Sequence, residues 1–243
     1  MPRVLVLCFA AVAFSAPLRP LASVNLVHAL WAPWNTTNVP LAEIQSAARG
    51  ACAERGFTTV RVAGSPFWPT QGWPLYLSDE DAFWAAAAPF ADALTSGGCS
   101  AIFSIFWNIF ALPDVFGEPL GALVAGARGD TSSRSFATSL RYIDAFVGKF
   151  AASQRVAAWE LTNELNLLFD LDMSTQCPGC GGPGSPKVRT RADNISTDDG
   201  IALFTAWAAR TRRGPAAAAD FNGPRPRAAQ RRAPPRRVPK TEP

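Results

Sequence analysis

An Asn-Glu pair that follows a short apolar run is the best candidate for acid–base chemistry in this sequence. The run occupies residues 155–162 (RVAAWELT), and Asn163 and Glu164 come directly after it. Its length, its large apolar side chains and its polar end predict a buried strand. In parallel β/α architectures, catalytic groups stand at the C-terminal ends of the strands. Glu164 is therefore the candidate general acid/base, and a polar turn that caps the strand is the alternative.

Residues 159–164 (WELTNE) resemble the fourth-strand signature of glycoside hydrolase family 5, the cellulase and β-mannanase family of retaining β/α-barrel enzymes. The resemblance implies that Glu164 is the general acid/base and that Asn163 binds the 2-hydroxyl of a sugar. Arg61, near the end of the second predicted strand, resembles the family's second-strand Arg, which keeps the nucleophile ionised. A structural ion pair is the alternative role for Arg61. The family's nucleophile is a Glu on the seventh strand, and no residue of this sequence matches it.

Retaining hydrolysis needs two carboxyl groups about 5 Å apart, one that protonates the leaving oxygen and one that attacks the anomeric carbon. As the proton donor, Glu164 is expected to be buried among apolar neighbours that include Trp107 and Trp159. Glu160 lies four residues earlier on the same strand, about 13 Å away, which is too far for both to act on one sugar. Other carboxylates lie in predicted loops, and no pattern places them: Asp114, Glu118, Asp170 and Asp172.

The sequence contains eight tryptophans and only two tyrosines. Flat indole faces at strand ends are suited to stacking on the apolar faces of pyranose rings. Five tryptophans stand at or just after predicted strand ends: Trp31, Trp34, Trp68, Trp73 and Trp107. Asn108, directly after Trp107, completes the predicted sugar-binding set. Core packing is the stronger explanation for Trp84 and Trp207 on predicted helices, and for His28 at the end of the first predicted strand.

Strand and helix patterns alternate four times along the chain. The predicted strands span residues 23–30, 57–63, 100–107 and 155–162, and the predicted helices span residues 40–55, 78–96, 132–153 and 197–210. Pro89 is expected to kink or reset the second helix. Such alternation is typical of a parallel sheet covered by helices. We therefore predict an α/β fold, a partial (β/α)8 TIM-type barrel of about four β/α units, in which residues 17–210 are the N-terminal half.

The first residues have the pattern of a secretory signal peptide, which we place at residues 1–16. Arg3 supplies the positive charge, residues 4–14 form the apolar segment, and residues 13–15 (AFS) provide a small-x-small cleavage site. The segment is shorter than the run of about 20 apolar residues that a transmembrane helix needs, so no membrane association is predicted. A first buried strand is the alternative for this segment.

Charge is distributed unevenly along the chain. Before Arg210 there are 13 Lys and Arg against 17 Asp and Glu, a net charge of −4, whereas from Arg210 onward there are 10 against 2, a net charge of +8. Residues 211–243 are rich in Arg, Pro and Ala and are predicted to be disordered, because they cannot bury a core. This tail is either a basic segment that binds polyanions or an out-of-frame translation. The part of the chain before Arg210 is slightly acidic overall, so its charge does not predict binding to nucleic acid.

Four cysteines remain once the signal segment is removed: Cys52, Cys99, Cys177 and Cys180. An even number in a secreted chain predicts disulfides, here with three possible pairings. Cys177 and Cys180 form a single Cys-x-x-Cys with no second pair, so a loop disulfide or free thiols are favoured over a metal site. Asn35 and Asn194 begin glycosylation sequons. No metal or cofactor is predicted.

Together with the resemblance, these features predict a secreted, extracellular glycoside hydrolase of the cellulase/β-mannanase type. Its expected partner is a polysaccharide, a β-glucan or β-mannan, whose β-1,4 bonds it would hydrolyse by a retaining mechanism. The chain as it stands is expected to be truncated and inactive, because the nucleophile half of the barrel is missing. The alternatives are a non-catalytic carbohydrate-binding remnant and, more weakly, a polyanion-binding protein driven by the tail.

Overall fold

The computed structural model describes residues 22–27, 29–34, 39–67, 70, 72–151, 155–176, 180–182 and 186–212. The predicted signal peptide, residues 1–16, and the tail beyond residue 212 lie outside the described residues. Several single residues named above also lie outside them: His28, Asn35, Trp68 and Cys177. Trp34 belongs to a described helix, but its side chain is not among the described parts.

Four strands form one parallel sheet in chain order, and this confirms the predicted parallel α/β fold. They are β1 (Ser23–Asn25), β2 (Thr59–Ala63), β3 (Ser100–Phe106) and β4 (Val156–Thr162). The register places Ser104 of β3 between Ala63 of β2 and Glu160 of β4. Strand β1 is shorter than predicted, because Ala29–Trp34 forms a 3-10 helix that buries the apolar residues which suggested a longer strand.

Seven α-helices connect or follow the strands in the described part of the chain. They are α1 (Leu41–Arg49), α2 (Gly72–Ser78), α3 (Glu80–Thr95), α4 (Ala111–Phe116), α5 (Leu120–Ala127), α6 (Arg134–Phe150) and α7 (Thr197–Arg212). A π-helical turn, Gly50–Glu54, extends α1 almost to its predicted end, and α3 continues past Pro89. None of the described helices has the length and apolar character that crossing a membrane requires.

Helix α2 begins within residues 64–74, and α4 and α5 lie between the third predicted strand and the third predicted helix; the sequence predicted loops in both segments. Each is only six to eight residues long, which is too short to be stable without tertiary contacts. Their apolar side chains supply those contacts, because Trp73, Leu112, Leu120 and Leu123 are all buried. The prediction of loops in these segments is therefore wrong, and packing is the reason.

One face of the sheet packs against the helices through aromatic rings. Phe103 of β3 and Trp159 of β4 both contact Phe146 of α6, with ring centroids 5.2 and 5.8 Å from the Phe146 ring. Tyr142, one turn earlier on α6, donates its hydroxyl hydrogen to the carbonyl oxygen of Gly64 at 2.6 Å. Burial raises the pKa of Tyr142 well above its usual range. This hydrogen bond ties α6 to the segment that follows β2.

Two tryptophans on helices belong to this core, as predicted. Trp84 and Trp207 are both buried. The indole N–H of Trp84 donates to Glu80 Oε1 at 3.2 Å, and that of Trp207 donates to Ser139 Oγ at 2.9 Å. Each ring is therefore buried with its one polar group satisfied, which is the condition for burying a tryptophan without penalty.

A disulfide joins Cys52, in the π-helical turn after α1, to Cys99, directly before β3. This bond belongs to one of the three pairings that the sequence left open. The cysteines are 47 residues apart, and closing a loop of that size stabilises a fold by about 4 kcal/mol on the loop-entropy scale. Cys180 is also disulfide-bonded, so the free-thiol alternative does not apply to it.

Helix α7 begins with a reciprocal cap between Ser196 and Asp199. The backbone N–H and the hydroxyl of Ser196 donate to Asp199 Oδ2 at 3.0 and 2.8 Å, and the N–H of Asp199 donates to Ser196 Oγ at 3.2 Å. Arg128 pairs with the other carboxylate oxygen, Oδ1, at 2.7 Å. The Ser196 N–H makes the largest contribution to lowering the pKa of Asp199, and burial opposes it.

Because folding lowers the pKa of Asp199, its charged form stabilises the fold above the unfolded-state pKa of about 3.9. This contribution is lost as the pH falls from there through the lowered pKa of the folded state. We therefore expect the wild type to be more stable than Asp199→Asn at neutral pH, with the difference shrinking below about pH 4. Urea unfolding at neutral and acidic pH, followed by circular dichroism, measures this difference.

The matched control for this prediction is Asp198→Asn, which removes an exposed carboxylate from the same helical turn. Its effect on the free energy of unfolding should be smaller than that of Asp199→Asn at neutral pH. A stability difference between wild type and Asp199→Asn that stays constant from neutral to acidic pH would contradict the role assigned to this cap.

Candidate functional site

Three predicted site residues come together at one side of the sheet: Arg61 in the middle of β2, Trp107 directly after β3 and Asn163 directly after β4. Nη2 of Arg61 donates a hydrogen bond to Oδ1 of Asn163 at 2.8 Å, across a sequence separation of 102 residues. The guanidinium carbon of Arg61 lies 4.5 Å from the centroid of the Trp107 ring. The C-terminal ends of the neighbouring strands β3 and β4 meet at one edge of the sheet, and the long Arg61 side chain reaches that edge from the middle of β2. We call Arg61, Trp107, Asn163 and the adjacent Glu164 the strand-end cluster.

Arg61 also forms a two-point ion pair with Glu160. Its Nε donates to Oε2 at 2.9 Å and its Nη2 donates to Oε1 at 2.7 Å. Because β2 and β4 are not neighbours, the pair reaches across β3. Alternation along β4 puts Glu160 on the opposite face from Trp159, away from the aromatic core. The structural ion pair considered for Arg61 is therefore present.

Sequence reasoning set Glu160 aside because of its distance along the strand from Glu164. Two features of the sequence indicate the role of Glu160. Its position between Trp159 and Leu161 gives it the opposite sheet face, and an opposite charge stands on another predicted strand at Arg61. A carboxylate inside a strand needs a partner, and this Arg supplies one.

The contact with Arg61 fixes the orientation of the Asn163 side-chain amide. A guanidinium carries only N–H donors, so the amide atom that faces it is the oxygen. The Nδ2 hydrogens are then directed away from Arg61, where they are suited to donate to a sugar hydroxyl. The backbone N–H of Asn163 donates to the carbonyl oxygen of Phe106 at 3.4 Å, which ties the residue to the end of β3.

Glu164 is exposed in the turn after β4, so its expected burial is wrong. Its backbone is left-handed, with a φ of 52°, a conformation that is costly for a residue with a side chain. The turn leads into the 3-10 helix Leu165–Leu168, and the N–H of Leu167 donates to the Glu164 carbonyl oxygen at 3.0 Å. Trp159, an expected neighbour, packs instead on Phe103 in the core. The turn thus carries Glu164 away from the apolar side chains.

Trp31 and Trp73 are buried in the core, where no sugar can stack on them. The indole N–H of Trp31 donates to the Ala63 carbonyl oxygen at 2.8 Å, and that of Trp73 donates to the Pro66 carbonyl oxygen at 2.9 Å. The ring of Trp31 stacks on Phe83, with centroids 5.5 Å apart. The structure therefore places both tryptophans inside the protein instead of at the surface, where sugar stacking was expected.

Trp107 is half-buried at the end of β3. The Arg61 guanidinium lies over its ring, and the Phe67 ring stacks with it at a centroid distance of 6.5 Å. A sugar would therefore meet the remaining surface of Trp107 beside Arg61. Asn108, the next residue, accepts a hydrogen bond from the Phe110 N–H at 3.0 Å and so shapes the turn into α4.

The four loop carboxylates hold structural contacts. Glu118 accepts two backbone N–H bonds at the start of α6, and Asp170 accepts an N–H and a hydroxyl at the start of α7. Asp172 accepts the N–H and hydroxyl of the residue two positions later. Asp114 forms a buried two-point pair with Arg189, at 2.7 Å for both hydrogen bonds. The structure thus gives each of them a local role in shaping loops and helix starts.

The strand-end cluster combines amide and guanidinium donors with one exposed carboxylate. Among the residues that the structure describes, no group of three or more His, Cys, Asp or Glu side chains is placed to hold a metal ion. A search against protein-family models and a search of curated proteins both give no match for this chain. Its function is therefore inferred from the strand-end cluster itself.

Proposed function

We propose that the strand-end cluster is the sugar-binding and proton-donating part of a glycoside hydrolase of the cellulase/β-mannanase type. Asn163 donates from Nδ2 to the 2-hydroxyl of a bound sugar, and Glu164 is the general acid/base for cleaving a β-1,4 bond with retention. The four parallel strands supply one half of a (β/α)8 barrel. The hydrogen bond from Arg61 to Asn163 carries the proposal, because it joins the second and fourth strands at one site.

A neutral β-glucan or β-mannan is the substrate class that suits the charges of the cluster. The positive charge of Arg61 is compensated by Glu160 at hydrogen-bonding distance. Glu164 is then the charge that a ligand meets at this edge. A uronic acid would bring a second carboxylate next to it, and like charges in close contact weaken binding.

Secretion is part of the proposal, and the disulfide between Cys52 and Cys99 supports it. Disulfides form and persist in oxidising environments such as the extracellular space, and they are rare in the cytosol. The signal-like pattern of residues 1–16 favours the same localisation.

A non-catalytic carbohydrate-binding protein is the second candidate, and the exposure of Glu164 favours it. A carboxyl group that donates a proton at neutral pH is normally held in an apolar pocket. Retaining hydrolysis also needs a second carboxyl group about 5 Å away. Glu160, the carboxylate nearest in sequence, is already paired with Arg61.

Azide can replace a missing nucleophile and so separate the two candidates. Azide attacks the anomeric carbon of a 4-methylumbelliferyl β-cellobioside or β-mannobioside, the bond to the aglycone oxygen breaks, and Glu164 protonates that oxygen. We expect no release of methylumbelliferone without azide, because the described cluster offers one carboxylate. With azide, we expect release that Glu164→Gln lowers by about a hundredfold or more. Glu54→Gln, at an exposed glutamate outside the cluster, is the matched control.

Other outcomes of this experiment change the conclusion in different ways. Binding of cellohexaose or mannohexaose without azide-dependent release would show the non-catalytic protein. Turnover without azide that Glu164→Gln abolishes would show that another carboxylate, such as Glu118 or Asp170, serves as nucleophile. A folded protein that binds neither oligosaccharide would contradict both candidates.

A further inference from the structure

We infer that Glu160 is a positioning residue for sugar recognition, and that it acts through Arg61 on the side-chain amide of Asn163. This role rests on the proposed function of the strand-end cluster. It adds Glu160 to the residues that determine sugar binding. Glu160 does not need to touch the ligand. It holds the guanidinium that in turn holds the amide.

The geometry of the ion pair leaves the guanidinium little freedom. Glu160 accepts two hydrogen bonds from the edge formed by Nε and Nη2, at 2.9 and 2.7 Å. A two-point contact of this kind fixes the plane of the guanidinium as well as its position. The Trp107 ring, with its centroid 4.5 Å from the guanidinium carbon, limits movement out of that plane.

The same nitrogen links the ion pair to the sugar-binding amide. Nη2 of Arg61 donates both to Glu160 Oε1, at 2.7 Å, and to Asn163 Oδ1, at 2.8 Å. If Glu160 no longer held Arg61, the guanidinium could rotate and release the Asn163 oxygen. The amide would then be free to turn, and its Nδ2 hydrogens would no longer be directed at the ligand.

The contact between Arg61 and Asn163 also helps to hold the strained backbone of the next residue, Glu164. Glu164 follows it with a left-handed backbone, at a φ of 52°. A strained residue of this kind keeps its conformation only where its surroundings determine it. The bond from Arg61 to the Asn163 side chain is one such constraint, and the backbone bond from Asn163 to Phe106 is another.

The ion pair gives the carboxylate inside β4 a partner, and its two-point geometry also orients the guanidinium. The side chains of Arg61 and Glu160 are 22% and 33% exposed, so water screens part of their attraction. A role in orienting the cluster predicts, beyond any change in stability, effects on Asn163 and on ligand binding. These effects are measurable separately.

The first test needs no ligand and follows the Asn163 side-chain amide by nitrogen-15 NMR. We expect Glu160→Gln to shift or broaden the Nδ2 resonances of Asn163, while the rest of the spectrum changes little. Asp144→Asn is the matched control, since it breaks an equally short ion pair, with Arg210, between α6 and α7. Asn163 resonances that are unchanged in Glu160→Gln would overturn the inference.

The second test is a double-mutant cycle on the affinity for cellohexaose and mannohexaose. We expect Glu160→Gln to weaken binding about tenfold in the wild-type background, the size of one lost hydrogen bond to the ligand, and by less than about twofold in the Asn163→Ala background. Equal losses in both backgrounds would show that Glu160 acts independently of Asn163 and would overturn the inference. A wild type that binds neither sugar refutes the proposed function, and the NMR test then decides the positioning role alone.

Discussion

Replacing Arg189 by Met is expected to lower the free energy of unfolding by about 3–5 kcal/mol. Arg189 donates from Nη1 and Nη2 to the two carboxylate oxygens of Asp114, both at 2.7 Å. The two side chains are only 3% and 6% exposed. Removing one partner therefore leaves a buried carboxylate without its compensating charge. Urea unfolding followed by circular dichroism measures the loss.

The matched control for Arg189→Met is Arg191→Met, two residues along the same segment. Arg191 pairs with Asp172 at 3.7 Å, but its side chain is 84% exposed, so its loss should cost less than about 1 kcal/mol. The double substitution Asp114→Leu with Arg189→Met removes both charges and should recover part of the lost stability. Equal effects of the two single arginine substitutions would contradict the importance of burial at this pair.

Replacing Trp73 by Ala is expected to lower the free energy of unfolding by about 3–5 kcal/mol, because the change leaves a large cavity. Trp73 is fully buried, and its ring contacts Tyr142 at a centroid distance of 4.9 Å and Tyr76 at 5.7 Å. Its N–H also donates to a backbone carbonyl oxygen, which would lose that partner. The measurement is the midpoint and free energy of urea unfolding.

Trp107→Ala is the matched comparison for Trp73→Ala, since both change a tryptophan predicted to bind sugar. Trp107 is only half-buried and supports Arg61, so we expect a smaller loss of stability and a clear loss of oligosaccharide affinity. A Trp73→Ala protein with wild-type stability and no affinity for sugar would show instead that Trp73 is a binding residue.

The order of the strands and long helices along the chain could be predicted from local sequence patterns. Residues 57–63, between Gly56 and Gly64, and residues 100–107, after Gly97 and Gly98, are runs rich in apolar, β-branched or aromatic residues, and each contains a parallel strand. The helices α2, α4 and α5 could not be predicted, because segments this short depend on tertiary packing and not on their own periodicity. The long helix α6, which has a strong apolar stripe that includes Ile143 and Phe146, was predicted within a few residues.

The approach of Trp107 and Asn163 followed from one rule, that parallel strands present their C-terminal ends together. Arg61 stands in the middle of β2, and only its long side chain brings it to the same place. Opposite charges on the second and fourth predicted strands are compatible with a pair between Arg61 and Glu160, but its contact across β3 depends on the register of three strands. The buried positions of Trp31 and Trp73 were missed for a related reason. Position after a strand does not determine whether a side chain points to solvent or to the core.

The buried network around Arg189 was also missed, because its partners come from distant parts of the chain. Asp114 lies in the first turn of α4, whereas Asp193 lies in a 3-10 turn before α7, and Oδ1 of Asp193 accepts the N–H of Leu120 at 2.8 Å. No local pattern links these residues. Only the folded chain shows that this polar cluster holds residues 186–195 against α4 and α5.

The central proposal is that a β-1,4-linked sugar binds at the strand-end cluster. The most direct measurement is titration of nitrogen-15-labelled protein with cellohexaose and mannohexaose, followed by NMR. The predicted result is saturable shifts of the Asn163 Nδ2 group, the Glu164 N–H and the Trp107 indole N–H, with the buried indole of Trp73 unchanged. Contrary results would be the absence of saturable shifts, or shifts confined to the open cavity lined by Asp170, Asn194 and Ser196.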